Sequence, residues 1–310
     1  MLWTLCMDDL TYALLSQSGL PNLQPISLKE FEKGDEPLLA AKNNRSLIEY
    51  YFTCTPSLIL YILNSSPGID AITYLDADLF FFGSLQSMYD EMGSDSIYIV
   101  EHRFPPHLSH LVQFGIYNVG LLCFKNDNSA KECLHWWRER CLEWCYDRVE
   151  DGRFADQKYL DEWPSRFPGV TVSKHKGVGL APWNITNYAL RLHSGHVTVD
   201  GEPLVYTHFH GFKKLNRWIY DPSLAVYRVK PSRFVGRNIY EPYIRELRST
   251  KQKISVMVNQ IGPKDYARYS QDAPQPMRYS SNSNRSLDIK AWLRVTRGLI
   301  RRDLMLFLGG

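Results

Sequence analysis

The sequence predicts an α/β domain with a mixed, largely parallel sheet flanked by helices. The first reason is that short apolar runs typical of buried strands alternate with longer amphipathic stretches over about the first 250 residues. The second is composition: 310 residues with 44% apolar and 22% charged side chains can bury a sizeable core. Because no apolar run approaches about 18 residues, no membrane span is expected.

The predicted elements follow one another without a detectable internal repeat. The predicted strands are "LWTLCM", "LQPISL", "AITYL", "SDSIYIV", "GLLCF", "GVTVS" and "PLVYTHFH". A first helix, "DDLTYALLSQSG", is expected to end at Gly19, and a long helical stretch before "AITYL" is expected to break near Pro56. The segment "NSAKECLHWWRERCLEWCYD" has the apolar spacing of an amphipathic helix.

The chain divides into three parts by composition. Residues 1–250 form the predicted α/β domain, and residues 251–286, rich in Ser, Pro, Asn and Gln from about residue 270, are predicted to be a linker. Residues 287–310 predict a basic amphipathic helix. Such a helix suits peripheral binding to an anionic membrane surface, and it equally suits docking on its own domain or on a partner subunit.

The cysteines indicate the cellular compartment, and the net charge limits the class of partner. Three of the six cysteines (Cys133, Cys141 and Cys145) share one helix at a spacing that does not suit disulfide geometry. They are therefore predicted to be small apolar core residues in a reducing compartment. Without a signal peptide pattern, a cytoplasmic protein is expected, with a place at the inner membrane face if the C-terminal helix binds lipid. A net charge of +3 is too small to indicate nucleic-acid binding.

Two aspartates, Asp76 and Asp78, stand in the otherwise apolar run "AITYLDADLFFFGSL". Buried carboxylates are costly unless they are paired, and ligands of α/β sheets bind beyond the carboxyl ends of strands. Two carboxylates there suit Mg²⁺ or Mn²⁺ carrying a diphosphate. An EF-hand loop does not fit, because Phe80 and Ser87 occupy ligand positions. An aspartyl-phosphate phosphatase or a simple turn cap remains an alternative at this point.

A second polar cluster lies in "YTHFHGFKK". His208 and His210 could supply nitrogen ligands suited to Mn²⁺, Gly211 allows close backbone approach to a phosphate, and Lys214 offers a point charge. Either histidine alone is more simply explained as the polar end of a strand. The whole cluster favours a phosphate and metal site.

Five motifs in order along residues 40–215 resemble the GT-A fold nucleotide-sugar glycosyltransferases, most closely the family 8-like group. The motifs are "YLDADLFFF", "YNVGLLCF", "FADQKYLDEWP", "LAPWN" and "HFHGFKK". They resemble, respectively, the family's D-x-D, N-x-G, D-Q-x-x-L, Asn-ending loop and H-F-x-G-x-x-K segments.

The resemblance implies roles for individual residues. It implies Asp76, Asp78 and His208 as metal ligands. It implies that Gly211, Lys214 and, through a looser match on the helix before "AITYL", Arg45 contact the donor. It also implies that Asn118, Asp156 and Gln157 face the donor sugar and the reaction centre.

The function implied is metal-dependent transfer of a sugar from a nucleotide-diphospho-sugar donor, with retention, to a glycan, lipid-linked or protein acceptor. The implied cofactor is Mn²⁺ or Mg²⁺. One departure from the family is that its first strand and helix have no counterpart before "LWTLCM", so a truncated domain is expected. The alternative function is therefore an inactive glycosyltransferase-like protein that binds a sugar nucleotide or serves as a scaffold.

Overall fold

The structure is a computed structural model, and the part of the chain that it describes covers residues 1–260 together with 305–306. Helices and strands alternate, as the sequence predicts. The strands are β1 (Leu2–Cys6), β2 (Leu23–Ser27), β3 (Ala71–Leu75), β4 (Leu79–Phe81), β5 (Ile97–Glu101), β6 (Tyr117–Lys125), β7 (Val170–Val172), β8 (Leu190–His193), β9 (His196–Val199), β10 (Glu202–Pro203), β11 (Tyr206–His208), β12 (Lys213–Lys214), β13 (Ile219–Asp221) and β14 (Met305–Leu306). The helices are α1 (Asp9–Ser16), α2 (Leu28–Phe31), α3 (Glu36–Lys42), α4 (Leu47–Ser65), α5 (Gln86–Met92), α6 (Asn128–Glu143), α7 (Trp163–Arg166), α8 (Arg233–Val235) and α9 (Glu241–Gln260).

The central sheet has four strands in the order β3-β6-β5-β7. The sheet is mixed, but the prediction that it is largely parallel is wrong: β6 runs antiparallel to both β3 and β5, and only the β5–β7 pair is parallel. The connection between β5 and β6 explains the difference. Its first N–H, of His102, donates to the carbonyl of Ile116 at 2.9 Å, so the segment leaves and returns at the same end of the sheet. A parallel pair would need a crossover back to the other end.

The two faces of this sheet bury different clusters. Along β6, Leu122 and Phe124 pack with α4 and α6, whereas Leu121 and Cys123 pack against Met88 of α5 and its neighbours. This alternation is the period of two that a strand requires. Because both faces are covered, the central strands are almost entirely apolar, as is usual for a sheet between two layers.

Two smaller pairs of strands flank the central sheet. β1 and β2 are parallel, with Leu5 opposite Ile26. β4 and β11 are antiparallel, with Leu79 opposite His208. The second pair places the start of "HFHGFKK" beside the end of "LDADLF", although the two segments lie far apart in the sequence.

The predicted break near Pro56 is wrong, because α4 continues through that proline. The long helical stretch is interrupted earlier, between α3 and α4. There Ser46 and Glu49 form a capping box, in which each side chain bonds to the backbone N–H of the other residue. A capping box satisfies free N–H groups at a helix start, which fixes the beginning of α4.

The C-terminal part departs from the predicted domain boundaries. α9 extends to Gln260, so residues 251–260, predicted to be linker, are helical. Apolar residues of this helix recur at helical spacing, as with Leu247, Ile254 and Val258, and this pattern continues the helix beyond residue 250. The remainder of the predicted linker lies outside the described residues. So does the predicted helix over 287–310 apart from β14, which is extended and pairs with β13.

The cysteines pack as predicted: all six are buried and free. Within residues 1–260, no helix combines the length and the apolar character needed to cross a membrane.

Candidate metal centre

Both predicted aspartates lie at the junction of the central sheet with the β4–β11 pair. Asp76 follows β3, and its N–H donates to the carbonyl of Gly120 on β6 at 2.9 Å. Asp78 precedes β4, and its carbonyl accepts from the N–H of Phe209 at 2.9 Å. The backbone on each side of the pair is therefore held by a different neighbouring strand. The Oδ1 atom of Asp76 also accepts a hydrogen bond of 2.9 Å from the Tyr74 hydroxyl.

His208, at the end of β11, faces both carboxylates. Its Nε2 atom lies 3.0 Å from Oδ1 of Asp78 and 3.9 Å from Oδ2 of Asp76, and the residue is only 4% exposed. Burial alone would lower the pKa of His208, but its hydrogen bond to Asp78 and the two negative charges outweigh burial and raise it. A cation at this position is therefore favoured by its surroundings.

The two aspartates respond differently to the same surroundings. Desolvation by the surrounding protein raises the pKa of Asp76; the charge of His208 opposes this rise and the charge of Asp78 adds to it. Burial would also raise the pKa of Asp78, but the hydrogen bond from His208 and the charges of His208 and His210 lower it overall. Opposite shifts in neighbouring carboxyls are frequent in functional sites, although structural ion pairs produce them too.

His210 joins the cluster from the other side of Phe209. Ligand atoms of Asp78, His208 and His210 all lie within 4.8 Å of one another. Burial, followed by the charge of His208, lowers the pKa of His210. The indole of Trp183 packs edge-on against both imidazole rings, with centroids 5.4 and 5.7 Å away, and forms an apolar wall.

The donor set fits a divalent cation. It combines imidazole nitrogens with carboxylate oxygens, and the charged partner of both carboxylates is the same histidine. Imidazole is a common ligand of transition metals, whereas carboxylate oxygens suit Mg²⁺, Ca²⁺ and Mn²⁺, so the set by itself does not select one ion. These side chains could hold a divalent ion with the strands paired as they are.

Asn118 and Gln157 lie beside this cluster. Asn118 on β6 contacts His208, and its Nδ2 donates to Oε1 of Gln157 at 3.3 Å. Gln157 in turn donates to the carbonyl of Phe114 at 3.0 Å. The structure thus places Asn118 against His208 and Gln157 behind Asn118.

Asp156 carries a buried carboxyl group, and the residue is only 4% exposed. Burial, with a smaller contribution from the charge of Asp76, raises its pKa to about 8. Its carbonyl accepts from the indole N–H of Trp137 at 2.8 Å, which fixes the backbone at this point. The carboxyl is therefore mainly protonated at neutral pH.

The remaining predicted donor contacts have other partners in this structure. Arg45 lies between α3 and α4, donates to the carbonyl of Leu142 at 3.3 Å and stacks 4.0 Å over the ring of Tyr146. Gly211 adopts a left-handed conformation (φ +71°) and accepts a hydrogen bond from Ser223.

Lys214 on β12 is exposed, with its ammonium 6.0 Å from the ring of Tyr220. Desolvation lowers its pKa, and the charges of three nearby basic residues lower it further. These residues are Arg217, Arg248 and Lys251.

Two residues of the site were not predicted individually. His102, at the end of β5, is 5% exposed and contacts Asn118, and its carbonyl accepts from the indole N–H of Trp183 at 2.8 Å. Trp183 lies in the "LAPWN" motif, where only the final residue, Asn184, was considered. That asparagine is fully buried and also donates to the His102 carbonyl, at 3.0 Å. A tryptophan beside such an asparagine is the sequence signal that was available; His102 had none.

Comparison with known proteins gives one family. No protein-family model matches the chain. The chain is 32% identical to the uncharacterized protein YfnD of Bacillus subtilis over 255 residues, which cover 80% of this chain and 79% of YfnD. It is 33% identical to the uncharacterized protein YfnF of the same organism over 220 residues, covering 68% of this chain and 72% of YfnF. The chain belongs to the same family as these two Bacillus proteins.

Among solved structures, the chain is similar to the crystal structure of a glycosyltransferase involved in the glycosylation of the major capsid of PBCV-1. The TM-score is 0.39 at 13% identity, and the match covers 61% of this chain and 78% of that one. A likeness this distant shows neither the fold nor the activity of the present chain.

Proposed function

We propose that this protein is a metal-dependent glycosyltransferase that moves a sugar from a nucleotide-diphospho-sugar to an acceptor. The observation that carries the proposal is the meeting of Asp76, Asp78 and His208 at one point, with Nε2 of His208 facing both carboxylates. The same three residues occupy the ligand positions of the two best-defined motifs of the resemblance. A structural ion pair would need one carboxylate, whereas two carboxylates around one imidazole leave negative charge for a cation.

The residues proposed to hold the metal are Asp76, Asp78 and His208; His210 lies within 4.8 Å of the ligand atoms of Asp78 and His208, and Oδ2 of Asp76 lies 3.9 Å from Nε2 of His208. A bound divalent ion would neutralise charge on the diphosphate of the donor. Of the two ions that the resemblance implies, the imidazole ligand favours Mn²⁺, because Mn²⁺ is the transition metal. The wall formed by Trp183 excludes water from one side of the cluster, which strengthens its electrostatic interactions.

The donor sugar is proposed to lie toward Asn118, Asp156 and Gln157. Asp156, protonated at neutral pH because burial raises its pKa to about 8, could donate a hydrogen bond without repelling a diphosphate. Gln157 keeps its amide N–H on the Phe114 carbonyl, so the oxygen side of its amide faces Asn118. Transfer with retention follows only from the resemblance and is part of the proposal.

Other donor contacts and partners are proposed from the sequence alone. Lys214 and Gly211 are proposed at the diphosphate, and Arg45 at the donor, because of the motifs in which they stand. The acceptor is proposed to be a glycan, a lipid-linked molecule or a protein. A cytoplasmic location, with membrane contact through residues 287–310, remains a sequence-based prediction.

The proposal is tested by incubating the purified full chain with a panel of nucleotide-diphospho-sugars and measuring the release of nucleoside diphosphate. We expect release from at least one donor with Mn²⁺ and none with EDTA or with the Asp78→Asn variant. Binding of a sugar nucleotide without release, across glycan, lipid and protein acceptors, would favour the sugar-nucleotide-binding alternative. If the protein neither binds nor cleaves any donor of the panel, the proposal is refuted.

A further inference from the structure

The side-chain amide of Asn118 is the centre of a hydrogen-bond network behind the metal centre. Its Oδ1 atom accepts from the N–H of Gly120 at 2.9 Å and lies 3.2 Å from Nδ1 of His208. Its Nδ2 atom lies 3.2 Å from Nε2 of His102 and 3.3 Å from Oε1 of Gln157. A primary amide has two acceptor positions and two N–H donors, so these four contacts use its whole capacity.

The backbone determines which way this amide points. The N–H of Gly120 can only donate, so the oxygen of Asn118, and not its nitrogen, must face it. The same oxygen faces Nδ1 of His208, which must therefore carry a hydrogen. The other ring nitrogen, Nε2, lies 3.0 Å from the Asp78 carboxylate, which can only accept, so without a metal Nε2 carries a hydrogen as well.

His102 fixes the opposite side of the amide. Its Nε2 atom faces the NH₂ group of Asn118 and must accept, so its own hydrogen lies on Nδ1, 3.1 Å from the Ile116 carbonyl. Burial lowers the pKa of His102 to about 3, which keeps this ring neutral and able to accept at neutral pH. The network therefore has one consistent arrangement of hydrogens at neutral pH.

Gly120 provides the space that the network needs. A Cβ atom at this position would lie 2.5 Å from Oδ1 of Asn118 and 2.9 Å from the ring of His208. Real Cβ atoms do not approach other atoms so closely. The asparagine and the glycine of the "YNVGLLCF" segment thus act on the same histidine.

We propose that Asn118 is a positioning residue that keeps a hydrogen on Nδ1 of His208 and thereby leaves Nε2 as the nitrogen that faces the candidate metal centre. The inference rests on the proposed function, because it concerns the same metal site. It differs from the role that the resemblance implies, since protein groups engage all four hydrogen-bonding positions of the amide. None of them is left for a sugar hydroxyl.

The test compares Mn²⁺ affinity in the full chain for four variants: Asn118→Leu, Asn118→Asp, His208→Ala and the Asn118→Leu/His208→Ala double variant. Asn118→Leu removes the acceptor at similar size and should weaken Mn²⁺ binding by about 10-fold or more, as loss of a ligand's hydrogen-bond partner does. In the His208→Ala background the same change should have no further effect, because Asn118 acts through His208. Asn126→Leu is the matched control and should leave affinity unchanged, because Asn126 directly follows the far end of β6 and bonds to the Ile69 carbonyl.

Asn118→Asp separates positioning from stability. It keeps an oxygen facing His208, so Mn²⁺ affinity should be retained, although its second oxygen faces two acceptors and should lower the thermal stability. Affinity that falls together with stability, or additive losses in the double variant, would overturn the inference.

The hydrogen on Nδ1 can also be observed without any metal. In ¹H–¹⁵N spectra of histidine-labelled protein, recorded at a pH where His208 carries both ring hydrogens, the Nδ1–H should exchange slowly with water in the parent and fast in Asn118→Leu. Fast exchange of this hydrogen in the parent would overturn the inference. If the parent binds no Mn²⁺, the proposed function fails, while these spectra still decide the role of Asn118.

Discussion

At the scale of single residues, the two histidines of the cluster are not equivalent. His208 is buried and faces both carboxylates, whereas His210 is exposed, and partial desolvation of its ring followed by the charge of His208 lowers its pKa. Removing His208 therefore deprives the site of its best-oriented nitrogen. If His210 is removed, a water molecule can take its place as a ligand.

We expect His208→Ala to weaken Mn²⁺ binding about 100-fold and His210→Ala about 10-fold, the range found when ligand support is lost. Isothermal titration of the metal-free full chain with Mn²⁺ measures both. His196→Ala, at an exposed histidine on β9, serves as the control. Equal losses, or a larger loss for His210, would show that the ligand assignment at the end of β11 is wrong.

The buried carboxyl of Asp156 gives a prediction about pH. The ordinary pKa of such a group is 3.8, and burial raises it to about 8 in the folded chain. Between these values the folded protein binds more protons than the unfolded chain. The contribution of Asp156 to stability is therefore complete below about pH 4 and is lost as the pH rises through 8.

Asp156→Asn should remove this dependence. At pH 8 we expect the metal-free variant to be more stable than the parent by roughly 1–3 kcal/mol, because no charge must be buried. Urea unfolding with EDTA between pH 5 and 9 is the measurement. Asp151→Asn, whose side chain is 81% exposed, is the matched control and should not change the slope. Parallel pH profiles for Asp156→Asn and the parent would contradict the prediction.

At the scale of elements, β6 brings the site together because it lies between β3 and β5 and passes close to the end of β11. The closest approach is at Gly120, where the carbonyl bonds to Asp76 and the missing side chain admits Asn118 and His208. The requirement for glycine here is steric and not conformational, since the left-handed glycines of the described residues do not include it.

Gly120→Ala should therefore damage the site more than the fold. We expect Mn²⁺ affinity to fall about 10-fold, because His208 loses its hydrogen bond to Asn118. Gly68→Ala is the matched control, because a Cβ there has no neighbour within 4 Å. Titration with Mn²⁺ and thermal unfolding of both variants would distinguish the effects. Unchanged affinity in Gly120→Ala would contradict the prediction, because it would show that Asn118 and His208 can move enough to make room for the Cβ.

The elements also show what the sequence could and could not predict. Most strands and helices were predictable, because apolar periodicity and caps are local signals. The direction of β6 was not, because it depends on where the segment from His102 to Ile116 returns, and no local pattern records that. The course of α4 through Pro56 was not predictable either, because packing along a long buried helix outweighs one proline.

In the site, too, some features could be predicted from the sequence and others could not. The proximity of Asp76, Asp78 and His208 could be predicted, because carboxylates in an apolar strand and a polar strand end are unusual locally; their role as metal ligands stays a prediction. His102 and the wall formed by Trp183 were not, because their role depends on contacts between residues distant in sequence.

At the scale of the whole molecule, the candidate metal centre lies where the central sheet meets the β4–β11 pair. Asp76 follows the end of a strand of the central sheet, whereas Asp78 and His208 belong to the β4–β11 pair. This pair packs against the start of α9 in an apolar cluster of its own. Binding of a metal would therefore link these parts, and ligand binding to the folded state raises its stability.

The most direct test of the metal centre is titration of the metal-free full chain with Mn²⁺, in the presence and absence of a nucleoside diphosphate. The comparison uses the parent, Asp76→Asn and Asp78→Asn, with Asp90→Asn on α5 as the control, because Asp90 bonds to Gln86 away from the cluster. We predict that the parent and the control bind Mn²⁺ and bind it more tightly with the diphosphate. Both site variants should lose about 10-fold or more in affinity, because each loses a hard oxygen ligand. Affinity like that of the parent in either site variant would contradict the assignment of these two carboxylates to a metal.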